Sequence, residues 1–205
     1  MQGRRVWEIG GFVAGAVLIV FGAVALYMGI NGHQTVGDEL GKEYIVGGSD
    51  MAPAEIQKAA SEAGLPATIK LPTCDVVDET IDTGTEARCF AQYMRIHALE
   101  ASGGLSYAQM GRFQSAAKPD DPAGTSDEAA AAKDESGNAI PNGARNIWIT
   151  ETALATGLNV SYMAEQISIF AIVVGVALLL TGIGLVILAL AVFGRYGSRK
   201  DALGT

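Results

Sequence analysis

The chain has 205 residues, nearly half of them hydrophobic, with 14 Lys and Arg against 22 Asp and Glu and a net charge of −8. Such a length suits one domain or two. The acidic balance argues against nucleic acid as a partner, and two histidines with two cysteines leave little material for a metal centre.

The apolar residues are concentrated in two runs. Residues 9–30 carry no charge, and neither do residues 166–194. At 1.5 Å per residue, each run is long enough to cross a hydrocarbon core of about 30 Å as a helix. Backbone groups in lipid must be satisfied internally, so both runs are expected to be helical. A cleaved signal peptide is the rival reading of the first run. Arg4 and Arg5 precede it, and Ala23-Val24-Ala25 resembles a cleavage site. The run is longer than a signal core of about 7–15 residues and stays apolar through Leu26, Tyr27 and Met28, which favours an anchor.

Arg4 and Arg5 on one side, and Arg195, Arg199 and Lys200 on the other, place both termini (1–8 and 195–205) in the cytoplasm. Residues 31–165 then lie outside, with nine basic residues against 20 acidic ones, a net of −11. Gly11, Gly15, Leu18, Gly22, Ala25 and Gly29 repeat at spacings of four and three, as do Ala171, Gly175, Leu178, Gly182, Leu185 and Ala189. Small residues at this spacing let helices approach closely in lipid. The seams serve either an antiparallel pair within one chain or contact with another subunit. Neither run holds an ionisable residue, which disfavours a pump.

In the outer segment, residues 31–115 read as a small, mainly helical domain. Val36, Leu40 and Tyr44 extend the first helix as a stalk. Asp50 is the expected cap of a short helix with Pro53 in its first turn. Cys74, in extended chain, and Cys89, in a helix started by a Thr83–Glu86 capping box, are expected to form a disulfide. A second capping box, Ser106 with Gln109, opens a further short helix. Residues 116–143 are acidic and rich in small residues, and are expected to be a mobile loop or a partly helical insertion, not a site. Residues 144–165 form a helix leading into the second run. Trp148, Tyr107, Phe113 and Tyr162 are the expected large core residues, with a patch that binds another protein as the alternative.

No nucleotide, metalloprotease or hydrolase motif is present. No catalytic residue, metal ligand or cofactor site is therefore expected, and His33 and His97 read as structural. Leu71-Pro72-Thr73-Cys74, the run from Ala87 through Arg88-Cys89-Phe90-Ala91-Gln92-Tyr93-Met94-Arg95-Ile96-His97-Ala98-Leu99 to Glu100, and Ser161-Tyr162-Met163-Ala164-Glu165-Gln166 resemble an uncharacterised family of two-span membrane proteins from actinobacteria. Some members are labelled aromatic ring-opening dioxygenases, a label for which this sequence supplies too few histidines. The resemblance implies a bacterial plasma-membrane location and carries over no functional residue. The fold expected is all-α: a two-helix transmembrane hairpin with a disulfide-bearing extracytoplasmic domain. The function expected is that of a non-enzymatic structural or accessory subunit, in contact with the lipid bilayer and with itself or another membrane protein. A small homo-oligomeric channel and an extracytoplasmic small-ligand binding protein are the alternatives.

Overall fold

A computed structural model describes residues 2–201, and the side-chain surroundings of residues 9–191. Arg4, Arg5, Arg195, Arg199 and Lys200, on which the expected orientation rests, fall outside the latter range. The described residues form four α-helices and one 3-10 turn: α1 (Gln2–Lys42), α2 (Pro53–Glu62), α3 (Gly84–Ala101), the turn Tyr107–Gln109, and α4 (Gly143–Asp201). Among the described residues there is no strand, only isolated bridges. The chain divides into two compact units, one of Met1–Thr35 with Ala164–Thr205, the other Val36–Met163.

In the first unit the N-terminal part of α1 and the C-terminal part of α4 pair through narrow stripes. Gly15, Gly22 and Gly29 are buried on α1, and Ser168, Gly175, Gly182 and Ala189 on α4. Both sets step by seven residues, the period of helices that wrap around one another. The remaining faces stay open: Ile9, Phe21, Met28, Phe170, Val173 and Leu188 are all more than half exposed.

The core of the second unit is built on α3. Its N-terminus is fixed by Thr83, whose hydroxyl accepts the Glu86 N–H at 3.2 Å, while the Glu86 carboxylate accepts the Thr83 N–H at 3.0 Å. Ala87, Cys89, Tyr93, Ile96 and Leu99 form the buried face. Helix α2 lays Ile56 and Ala60 on α3. It starts at Ala52 with no side-chain cap, not at Asp50, because Pro53 occupies the first helical position and needs no acceptor. The second capping box does hold, with Gln109 Oε1 accepting from both the N–H and O–H of Ser106, but it opens one 3-10 turn only.

Residues 116–142, expected as a mobile loop or a partly helical insertion, form a bonded set of turns with no helix. Asp121, Asp127 and Asp134 each accept a backbone N–H two residues on, so the acidic residues build turns without needing a core. Asp134 also takes the Asn138 N–H at 2.8 Å, and these bonds hold its carboxyl below the usual carboxylate range. Phe113 bridges both Thr125 and Pro141. Asn142, buried, donates to the carbonyls of Gly111 and Pro122 and caps α4 by accepting the Ala144 N–H. Gly124, at φ +61°, lies against this amide, where a Cβ would collide with it.

Candidate functional site

The glycine stripes of the first unit bring backbone onto backbone. A Cβ built at Gly15 would sit 2.8 Å from the Gly182 carbonyl oxygen, and one at Gly22 would sit 2.9 Å from that of Gly175. The reverse holds too, since a Cβ at Gly182 meets the Gly15 oxygen at 2.7 Å and one at Gly175 meets the Leu26 nitrogen at 2.7 Å. Gly29 faces Ser168 and Ile172 in the same way. Gly11 is different: among the described residues nothing lies within 4 Å of its Cβ position. Ser168 and Gly32 extend the stripe, a Cβ at Gly32 falling 2.6 Å from the Ser168 hydroxyl. Sequence spacing missed this pair because serine in an apolar run reads as an interruption. Beyond it, His33 Nδ1 lies 3.9 Å from the buried Glu165 carboxylate.

In the second unit Cys74 and Cys89 are bonded, tying the extended segment before α3 to its first turns. Tyr93, fully buried one turn further on, donates its hydroxyl to the Cys74 carbonyl at 2.6 Å. Burial, with the Asp75 carboxylate second, pushes the Tyr93 phenol above its usual range. At the other end of α3 the buried indole of Trp148 donates to the Leu105 carbonyl at 2.9 Å and the Ser102 hydroxyl at 3.1 Å. Of the four aromatic residues expected in the core, only Trp148 is buried. Tyr107, Phe113 and Tyr162 instead carry arginines on their faces: Arg145 at 4.0 Å, Arg112 at 5.4 Å and Arg88 at 4.6 Å from the ring centroids. Tyr93 takes the central position they were expected to fill.

His33 belongs to the first unit and His97 to the second. His97 sits between two carboxylates, with Nδ1 2.9 Å from Glu100 Oε2 and Nε2 3.5 Å from Asp50 Oδ2. That array fastens the segment before α2 to α3. Among the described residues no three His, Cys, Asp or Glu side chains are grouped to hold a metal. An open apolar groove of about 620 Å³ runs between Leu40, Ile45, Phe90, Met94, Leu154 and Leu158. Along α4, Ile149, Ala153, Thr156, Val160 and Met163 fall at i, i+4, i+7, i+11 and i+14 and are all exposed.

No protein-family model, curated protein or solved structure matches the chain.

Proposed function

We propose that this chain is a two-span integral protein of a bacterial plasma membrane, with both termini cytoplasmic and Val36–Met163 outside. We further propose that it acts without catalysis, as a structural or accessory subunit that contacts other proteins through its helices. The observation that carries the reading is how little of its apolar surface the chain covers by itself. Of the most apolar 18-residue window in each long helix, only 11% is buried. A core helix of a water-soluble protein is buried nearly all round; these are apolar all round and covered on one narrow stripe, the pattern a lipid-facing pair requires. The glycine stripes are spent inside the chain, which leaves the exposed stripe Ile149–Met163 as the contact for a partner helix.

The glycines a homo-oligomeric channel could draw on for its lining pack against the partner helix of the same chain, which favours the accessory-subunit reading. The small-ligand reading keeps a specific support in the apolar groove around Phe90 and Met94.

The test is extraction from native membranes in mild detergent, with native mass measurement and identification of every co-purifying chain. A stoichiometric second chain, or a defined homo-oligomer, lost on Val160→Glu with Met163→Glu, is the expected result. A bare monomer in every mild detergent would sink the accessory-subunit reading.

A further inference from the structure

Cations are scarce in the second unit, where nine Lys and Arg stand against 19 Asp and Glu. Three of the nine, Lys70, Arg88 and Arg95, line a single cleft of about 660 Å³ that has no Asp or Glu in its walls. Arg88, Gln92 and Arg95 occupy one face of α3 at i, i+4 and i+7. The opposite wall is the turn Pro66–Ile69 with Lys70, Leu71 and Thr73 after it, and Ser106 and Gln109 also line the cleft.

Among the described residues none of the three cations has a carboxylate within 4.0 Å or a hydrogen bond to the protein. Glu151 shares a neighbouring cleft with Arg95, but lies beyond ion-pair distance and accepts the Thr152 hydroxyl instead. All three side chains are exposed, so water screens their mutual repulsion and their donors are open to a ligand. Two of them are held in place by rings. Arg88 lies 4.6 Å from the Tyr162 centroid and Arg95 lies 5.0 Å from that of Trp148. A stacked guanidinium uses its face and keeps its in-plane N–H donors for a ligand. Gln109 adds to this, since its Oε1 is taken by Ser106 and its amide N–H donors are left over. Beside the donors, Leu71, Ile96 and Leu99 give the cleft an apolar wall.

We propose that this cleft binds a small organic anion, a phosphate or carboxylate head held by Lys70, Arg88 and Arg95 with an apolar body against Leu71 and Leu99. The volume falls in the range of small-molecule sites, about 300–1,000 Å³. Planar, bidentate arginine donors suit both head groups. The site lies wholly within the second unit and stands whether or not the chain is an accessory subunit.

The probe is phenyl phosphate, titrated by calorimetry into the oxidised full chain in an uncharged maltoside detergent. Trp148 fluorescence is followed in parallel in a Trp7→Phe background. Saturable binding that weakens with salt is expected, with Arg88→Gln and Arg95→Gln each about tenfold weaker. Lys133→Gln, outside the cleft, should bind as the parent does. Should either glutamine variant fail to form the disulfide, Arg88→Lys or Arg95→Lys replaces it, with the same weakening expected from loss of the stacked fork. An absence of saturation, equal binding of benzyl alcohol, or indifference to both arginine changes would overturn the proposal. Lipid discs then separate two sources of the same chemistry. Phenyl phosphate displaced in phosphatidylglycerol discs but not in phosphatidylcholine discs assigns the head group to a lipid; equal binding in both assigns a soluble anion.

Discussion

At the residue scale, two buried donors hold the ends of α3. Trp148→Phe leaves a gap where the larger ring packed and takes one donor each from the Ser102 hydroxyl and the Leu105 carbonyl, which stay bonded to each other. A loss of about 1–3 kcal/mol is expected, read as faster amide exchange at the C-terminal end of α3. Tyr93→Phe removes the bond to the Cys74 carbonyl, at a cost of about 1 kcal/mol. The fold keeps the phenol protonated above its ordinary value of 10.0, so its contribution is complete below that pH. It declines as pH rises through the raised value. An absorbance titration should lose a late-ionising component in Tyr93→Phe, and the alkaline loss of stability should flatten in the same variant. Thr83 with Glu86, and the cysteine pair, were legible because capping and disulfide chemistry are local or use a unique residue type. The placement of Tyr107, Phe113 and Tyr162 was not, because a ring carrying an arginine on its face and a ring in a core look alike along a chain.

At the element scale, the helix pair and the clamp each give a clean comparison. Gly22→Leu forces a side chain into the Gly175 carbonyl, whereas Gly184→Leu enters open space. The first should separate the pair at a cost of about 3 kcal/mol and the second should be neutral, measured by cross-linking between cysteines introduced on α1 and α4. Cys74→Ser with Cys89→Ser opens a loop spanning 15 residues, for which about 3 kcal/mol of lost stability is expected, read by limited proteolysis of the segment 66–73. The seven-residue glycine spacing was plain in the sequence because it is periodic. The turns of residues 116–142 were not: composition reports what is available to bury, and this segment is held by carboxylates bonding their own backbone.

At the scale of the whole molecule, the proposed topology is testable by accessibility. Single cysteines at positions 2 and 204 in a chain otherwise lacking them should react with an impermeant maleimide only after the cells are opened, and one at Ser126 should react in intact cells. Labelling of the termini in intact cells would reverse the orientation drawn from the flanking arginines. Sodium carbonate washing should leave the chain in the membrane fraction if the proposed two-span reading of its apolar helices holds.

The glycine stripes have a property that their tightness conceals. Because Gly15 and Gly22 on one helix face Gly182 and Gly175 on the other, sliding α1 past α4 by one repeat sets glycine on glycine again. The stripe fixes the distance between the helices and is nearly blind to their register. What differs from repeat to repeat is Ala189 at one end of the described stripe and, at the other, Ser168 against Gly32 with His33 reaching toward Glu165. Those polar residues are the index mark of an otherwise degenerate scale. With Ser168→Gly and Glu165→Ala together, cross-links between the helices should spread into a ladder of positions seven residues apart.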